Sequence, residues 1–183
     1  NALSGAAGND LLSGAAGNDT LDGGSGNDTM AGGAGNDVYI SDSATGDAAS
    51  ETAGNGTDTI QTNLTSFDMS GSNWLNVENL TYTGTGNFSG TGSSADNSIT
   101  GNTGNDTLAG GTGNDTMAGG DGNDTYIVDS QNDSISESAG ADTDTIQTSL
   151  ASLDMSTVNF TNVENLAYTG ASAFTGTGNS GAN

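Results

Sequence analysis

The feature that most constrains this chain is a nine-residue repeat built on the triplet Gly-Asn-Asp. Written as Gly-Gly-x-Gly-Asn-Asp-x-apolar-x, the repeat runs without insertion through residues 5–40 and again through residues 101–127. We call these seven copies the strict copies. An acidic low-complexity linker has no reason to keep such a register, so the repeat favours a fold in which every step adds one equivalent structural unit.

Each step of the repeat combines a turn with room for one short strand. Gly, Asn and Asp tolerate left-handed and turn conformations, and the x-apolar-x segment that follows is long enough for a short strand. Two consecutive steps then form one coil, and successive coils pair through their backbones. The expected fold is all-β, a parallel β-roll or β-solenoid. The side chains expected to stack are Leu12 on Met30 in one sheet, Leu21 on Tyr39 in the other, and Leu108 on Tyr126 opposite Met117 in the second block.

A second period of 86 or 87 residues lies on top of the first. Asp37-Val-Tyr-Ile matches Asp124-Thr-Tyr-Ile, and Asn76-Val-Glu-Asn-Leu matches Asn162-Val-Glu-Asn-Leu. The chain therefore divides into two tandem units that are expected to form one continuous solenoid. The predicted blocks are a nonapeptide block at 1–40, a β-rich spacer at 41–96, a nonapeptide block at 97–127 and a β-rich spacer at 128–183. Candidate spacer strands at 57–62, 77–83, 143–148 and 163–169 are expected to continue the solenoid as wider, less regular coils.

Net charge decides what must bind this chain. It has 23 acidic residues and no Lys, Arg or His, which gives a formal charge of −23. The predicted coil makes Asp10 a neighbour of Asp28 on one edge, and Asp19 a neighbour of Asp37 on the opposite edge. Like charges so close cost free energy unless a cation lies between them. Calcium fits best, because it accepts about six to eight oxygen ligands in flexible geometry and glycine turns expose carbonyls, whereas magnesium prefers a rigid octahedron.

The same composition excludes several functional classes. Without Cys or His, the chain lacks the thiolate and imidazole ligands of zinc and haem sites. Its charge of −23 would repel the phosphates of a nucleic acid. No apolar run approaches the roughly 18 residues of a membrane span, so we expect no membrane insertion. No nucleophile with a base, carboxylate pair in a cleft or open metal site can be assembled, so we expect no catalytic residues and no enzyme.

Two of the strict copies show a resemblance to a known family. Gly23-Gly-Ser-Gly-Asn-Asp-Thr-Met-Ala and Gly110-Gly-Thr-Gly-Asn-Asp-Thr-Met-Ala resemble the nonapeptide of RTX (repeats-in-toxin) proteins. The resemblance implies a parallel β-roll, in which each calcium ion lies between one turn and the turn two steps later. It also implies type I secretion as an unfolded chain that folds on meeting external calcium. The spacer sequence Val-Glu-Asn-Leu followed by Tyr-Thr-Gly resembles that of long repetitive RTX surface proteins of the adhesin type.

Carried over by position, the resemblance assigns calcium-binding side chains to the Asp of every strict copy. These are Asp10, Asp19, Asp28, Asp37, Asp106, Asp115 and Asp124. The turns that supply backbone carbonyls begin at Gly5, Gly14, Gly23, Gly32, Gly101, Gly110 and Gly119. The implied pairs are Asp10 with Asp28, Asp19 with Asp37, Asp106 with Asp124 and, more weakly, Asp115 with Asn97. Asp133 is a second weak candidate. Ala6, Ala15 and Asn102 replace the second glycine of a copy and are expected to loosen the first turns of each block, because Ala resists a left-handed conformation by roughly 1 kcal/mol.

Two readings of the conspicuous spacer side chains stay open. Trp74 and its counterpart Phe160 fit either a sugar-stacking platform or the hydrophobic filling of a wide coil, and we favour the filling. Glu78 and Glu164 fit either catalysis or hydrogen bonding to a turn or a neighbouring coil, and we favour the hydrogen bonds.

Two functional hypotheses remain. The first is a calcium-binding structural segment of a secreted bacterial protein, a calcium-stiffened rod in an extracellular filament, surface layer or adhesin stalk. The second is the calcium-binding C-terminal RTX module of a secreted protease, lipase or polysaccharide epimerase. Both ends fall at the same phase of the long repeat, which favours the first hypothesis. The expected partners are calcium ions and, coaxially, another copy or the rest of a longer array, in a secreted or cell-surface location.

Overall fold

The computed structural model describes residues 1–138, 140 and 142–181. Its regular secondary structure consists almost entirely of short strands, and the chain falls into two compact units, Asn1–Gly84 and Thr85–Asn183. Residues 139, 141, 182 and 183, which belong to the predicted spacer 128–183, lie outside the described residues. Within the described part of the chain, no helix has the length and apolar character needed to cross a membrane.

The first unit contains two parallel sheets. One is formed by β1 (Ala2–Ser4), β3 (Thr20–Asp22), β5 (Val38–Ser41), β7 (Thr59–Thr62) and β9 (Asn79–Tyr82), each paired with the next. The other is formed by β2 (Leu11–Ala16), β4 (Thr29–Ala34) and β6 (Ala48–Ala49). Strand β8 (Ser66–Asp68) and a 3-10 helix (Ser72–Trp74) lie in the spacer. Consecutive strands alternate between the two sheets of the roll, as the repeat predicts.

The second unit repeats this plan. One parallel sheet is formed by β10 (Ser89–Thr91), β12 (Thr107–Ala109), β14 (Thr125–Val128), β16 (Thr145–Thr148) and β18 (Asn165–Tyr168). Another is formed by β11 (Ser98–Thr103), β13 (Thr116–Asp121) and β15 (Ser134–Ile135), and β17 (Ser152–Asp154) pairs with β19 (Thr175–Thr177). A 3-10 helix spans Val158–Phe160. The four candidate spacer strands therefore exist as β7, β9, β16 and β18, with slightly shorter bounds than predicted.

The strand register confirms the predicted coil. Leu12 pairs with Met30 and Leu21 with Tyr39, so each pair joins positions that lie two repeat steps apart in the sequence. In the spacer the coils are longer than two repeat steps, because Tyr39 pairs with Ile60 and Ile60 pairs with Leu80. The wide coils thus continue the parallel sheet of the nonapeptide coils within each unit. The fold is a parallel β-solenoid with wider spacer coils, as predicted.

The core is a narrow file of side chains taken from every second residue of each strand. Leu21, Met30 and Tyr39 are fully buried between the sheets, and Ile60 continues the file into the spacer. In the second unit the stacking of Leu108 on Tyr126 is as predicted, and Met117 is equally buried.

Aromatic rings fill the wide coils. The ring centroids of Phe67 and Trp74 lie 5.2 Å apart at an interplanar angle of 55°, and the Trp74 indole donates to the Ala44 carbonyl at 3.4 Å. Trp74 is only 1% exposed and Phe160 is fully buried. Side chains so enclosed cannot stack on a sugar, so the favoured interpretation, hydrophobic filling, is confirmed.

Candidate metal centre

One carboxylate oxygen of the Asp ties a Gly-Asn-Asp turn to the preceding coil. The main-chain N–H of Asp19 donates to Oδ1 of Asp37 at 2.7 Å, and that of Asp10 donates to Oδ1 of Asp28 at 2.8 Å. In the second unit, the N–H of Asp106 donates to Oδ1 of Asp124 at 2.7 Å, and that of Asn97 to Oδ1 of Asp115 at 2.8 Å. The structure therefore brings together every Asp pair that the resemblance implied. We call each such file of stacked carboxylates an Asp ladder.

The second carboxylate oxygen of each strict Asp has no hydrogen-bond donor among the described residues. Oδ2 is buried and accepts no hydrogen bond from any described residue in seven Asp residues, Asp10, Asp19, Asp28, Asp37, Asp106, Asp115 and Asp124. These are the seven Asp residues of the strict copies. An unsatisfied buried acceptor costs about 1–3 kcal/mol, and a charged one costs more. A cation bound at these oxygens accounts for the arrangement, whereas protein donors do not.

Backbone carbonyls open onto the same space as the unpaired oxygens. A Cβ placed on Gly5 would lie 2.6 Å from Oδ2 of Asp10 and 2.7 Å from the carbonyl oxygen of Gly23. At Gly101, a Cβ would likewise overlap the Asp106 carboxylate and the Gly119 carbonyl. The glycine leaves open a cradle lined by carboxylate and carbonyl oxygens from successive coils. This donor set suits calcium, a hard cation that takes oxygen ligands in flexible geometry.

Burial shapes the electrostatics of the ladders. Burial raises the pKa of the Asp106 and Asp124 carboxyls. It raises the pKa of Asp115 to about 6, helped by the charges of Asp133, Asp129 and Asp96 and opposed by the hydrogen bond from Asn97. The chain has no basic side chain to favour the ionised forms. A divalent cation supplies that missing positive charge and favours the carboxylate form.

The Asn of the triplet forms a second ladder that runs in the opposite sense. Oδ1 of Asn18 accepts the main-chain N–H of Asn36 at 3.0 Å, and Oδ1 of Asn36 accepts that of Thr57 at 3.0 Å. The side chain of Asn therefore reaches forward to the next coil, whereas the side chain of Asp reaches back to the previous one. Sequence analysis did not assign this role to Asn. The constant Asn before each Asp is the pattern from which it could have been found.

The Asp ladders extend beyond the strict copies. The N–H of Asp37 donates to Oδ1 of Asp58 at 2.8 Å, and that of Asp124 donates to Oδ1 of Asp144 at 2.9 Å. Asp28 pairs in the same way with Asp47 at 3.1 Å. Sequence analysis missed these three Asp residues, because the wider coils place them further along the chain from their partners than two repeat steps.

Glutamates then take the ladder position in the last coil of each spacer. Oε2 of Glu78 accepts the N–H of Asp58, and Oε2 of Glu164 accepts the N–H of Asp144, each at 2.9 Å. The predicted hydrogen bonding of these glutamates to a neighbouring coil is thereby confirmed.

The weaker candidates differ from the strict Asp residues. Oδ1 of Asp133 accepts the N–H of Asp115 at 3.1 Å, but its Oδ2 accepts the N–H groups of Asp129 and Ser130 at 3.3 and 3.2 Å. The amide oxygen of Asn97 accepts the N–H of Ser93 at 2.6 Å. Asp133 thus engages both carboxylate oxygens with protein donors, unlike the strict Asp residues.

Two alanines adopt the strained backbone that the glycine pattern predicted. Ala6 and Ala15 have φ angles of 76° and 80°, close to the 77° of Gly24 at the equivalent place one coil after Ala6. A Cβ on Gly24 would overlap the carbonyl of Ala6. Glycine is therefore needed at position 24 for space as well as for its left-handed backbone.

Comparison with known proteins identifies the repeat. The sequence model for the RTX calcium-binding nonapeptide repeat (4 copies) matches residues 4–39, 91–126 and 100–135. A comparison with curated proteins gave no match. The matched ranges contain all seven strict Asp residues, together with Asn97 and Asp133. RTX nonapeptide repeats bind calcium ions, so calcium is the cofactor of this β-solenoid. Over these residues the chain is similar to the RTX calcium-binding nonapeptide repeat family.

Proposed function

We propose that this chain is a structural segment of a secreted bacterial protein, a calcium-stiffened rod in an extracellular filament, surface layer or adhesin stalk. The observation that carries the proposal is the set of seven buried, unpaired carboxylate oxygens in a chain without a basic side chain. Such a chain needs a divalent cation to fold, and extracellular calcium modules work at roughly 10⁻⁴–10⁻³ M calcium. RTX repeats are also typical of secreted bacterial proteins.

Within this proposal, the ligands are the seven strict Asp carboxylates and the carbonyls of the glycine turns. Asp10, Asp19 and Asp28 contribute in the first unit, and Asp106 and Asp115 in the second. Asp37 and Asp124, the last strict Asp residues of the two units, contribute as well. Asn97 and Asp133 are secondary candidate ligands. The four blocks with boundaries after residues 40, 96 and 127 form one continuous solenoid, which continues in a longer array or stacks coaxially on another copy.

The alternative is the C-terminal calcium-binding module of a secreted protease, lipase or polysaccharide epimerase. The repetition of the whole long pattern favours the rod, because a module that assists the folding of one enzyme does not need a second spacer. A repeat-only calcium-binding solenoid is a structural module, and we propose no catalytic residue.

The first test is far-UV circular dichroism of chelator-treated protein during a calcium titration, with magnesium as the matched control. We expect a cooperative transition from coil to β-structure with calcium and none with magnesium at equal concentration. Small-angle scattering of the calcium-loaded protein then gives its length and its association. A chain that is fully β-structured in chelator and indifferent to calcium would contradict the proposal.

A further inference from the structure

A cluster of three carboxylates lies where the second nonapeptide block joins its spacer. One carboxylate oxygen from each of Asp124, Glu137 and Asp144 lies within 4.8 Å of the others. Asp124 is 1% exposed and Asp144 is 3% exposed. The matched RTX repeats end at residue 135, so Glu137 and Asp144 fall outside them. The repeat motif therefore does not explain why three carboxylates converge here.

An unpaired oxygen points to a ligand in this cluster. Oδ1 of Asp124 accepts the N–H of Asp106, while its buried Oδ2 accepts no hydrogen bond from the described residues. That Oδ2 lies beside the open Cβ position of Gly119, and the Tyr126 hydroxyl lies 2.5 Å from the same position. The free carboxylate oxygen thus faces a gap that a glycine keeps open.

Tyr126 holds the glutamate at this gap. Its hydroxyl accepts the N–H of Gly119 at 2.7 Å and donates to Oε1 of Glu137. The glutamate is therefore oriented by a phenol, not by a cationic side chain, because the chain has none. Burial raises the pKa of Glu137 to about 7, and the charges of Asp144 and Asp124 add to this effect.

The first unit contains the same contact between a tyrosine and a glutamate. Oε1 of Glu51 accepts the Tyr39 hydroxyl and the N–H groups of Gly32 and Gly33, the latter two at 3.0 and 3.2 Å. Its Oε2 is buried and accepts no hydrogen bond from the described residues, and neither does Oδ2 of Asp37. Two independent copies thus present an unpaired Asp oxygen with a glutamate held by a tyrosine.

We propose that Asp124, Glu137 and Asp144 form an additional calcium site at the boundary between the last strict copy and its spacer, with Asp37, Glu51 and Asp58 as its counterpart in the first unit. In this site a carboxylate oxygen of the glutamate takes the place that a glycine carbonyl oxygen takes in a strict turn. Calcium is the expected ion because three carboxylates and nearby carbonyls form an all-oxygen set without imidazole or thiolate. Such a site couples the ordering of each spacer to calcium.

The test uses the whole chain and counts bound ions. The variant E51Q/E137Q keeps an acceptor for each tyrosine hydroxyl but removes both charges. The control D68N/D154N removes two charges from exposed spacer positions that are also equivalent in the two units. Native mass spectrometry in saturating calcium should show that E51Q/E137Q binds two fewer ions than the parent protein, one for each site, while the control keeps the parental number.

Terbium substitution gives a second measurement that needs no variant. Crystals of the parent protein soaked in terbium should show an anomalous peak between Asp124, Glu137 and Asp144. Equal ion counts in all three proteins, or the absence of that peak when the strict ladders are occupied, would overturn the inference. Should E51Q/E137Q fail to fold, the anomalous peak alone decides. Either failure leaves the calcium transition of the parent protein, and so the proposed function, untouched.

Discussion

The main-chain N–H of Asp19 donates a 2.7 Å hydrogen bond to Oδ1 of Asp37, whereas Oδ2 of each carboxylate is buried without a donor among the described residues. One oxygen of each Asp therefore joins neighbouring coils, and the other is available to a cation. The two tasks are separable, because an amide can replace the first oxygen but cannot replace the charge of the second. Replacing such an Asp by Asn therefore removes the charge of the second oxygen while keeping an acceptor for the N–H of the preceding coil.

Replacing Asp37 by Asn should weaken calcium-dependent folding. The amide oxygen can still accept the N–H of Asp19, but one buried carboxylate ligand is lost. We expect the calcium concentration at the midpoint of the circular dichroism transition to rise about tenfold or more, which corresponds to roughly 1.4 kcal/mol or more. Asp68→Asn, at an exposed site, is the matched control and should shift the midpoint less than about twofold. Equal midpoints for both variants would contradict the role of Asp37.

The paired positions 6 and 24 should respond in opposite directions to the exchange of Ala and Gly. Ala6→Gly relieves a left-handed alanine and should raise the free energy of unfolding by about 0.5–1 kcal/mol. Gly24→Ala introduces the same strain and places a Cβ against the Ala6 carbonyl, so it should lower that free energy by more, about 1–3 kcal/mol. Denaturant unfolding in saturating calcium measures both, and Ala15→Gly with Gly33→Ala repeats the comparison. Equal free energies of unfolding for Ala6→Gly and Gly24→Ala would contradict this prediction and would mean that the turns relax around either residue.

Acid should partly replace calcium in folding the chain. Burial raises the pKa of Asp58 and Asp115 to about 6 and that of Glu137 to about 7 in the folded protein. The folded state then holds more protons than the unfolded state between about pH 4 and 7, so stability without metal falls as pH rises through this window.

Circular dichroism in chelator checks this pH dependence. We expect more β-structure at about pH 5 than at about pH 8, and calcium should restore the missing β-structure at the higher pH. The calcium-loaded protein is the control, because its carboxylates are ionised by the metal at both values. A metal-free chain whose β-content increases with pH would show that these carboxyls are not buried as described.

Truncating Trp74 should destabilise the first unit strongly. The ring is 1% exposed and packs against Phe67, so Trp74→Ala should cost about 3–5 kcal/mol of unfolding free energy. Trp74→Phe should cost less, because Phe160 fills the equivalent place in the second unit. Thermal unfolding in saturating calcium distinguishes the two variants. Similar losses for both would mean that the indole hydrogen bond to Ala44, and not packing, stabilises the coil.

The nine-residue period alone determined the coil, the sheet register and the strict Asp ladders. Leu12 had to lie on Met30, and Asp19 beside Asp37, because a turn plus a short strand repeated without insertion leaves a single phase in which apolar residues face inwards. The excess of carboxylates over any internal counter-charge likewise required an external cation.

Only the tertiary structure decided what happens where the period breaks. The spacers insert extra residues into each coil, so the sequence spacing no longer says that Asp58 continues the ladder of Asp37 or that Glu51 returns to Tyr39. Those contacts depend on how the extra residues are accommodated in each wide turn, while the paired strands β5 and β7 keep their register. Local repetition dictates neighbours only while every coil has the same length, and beyond that point packing of the aromatic core and backbone pairing select them.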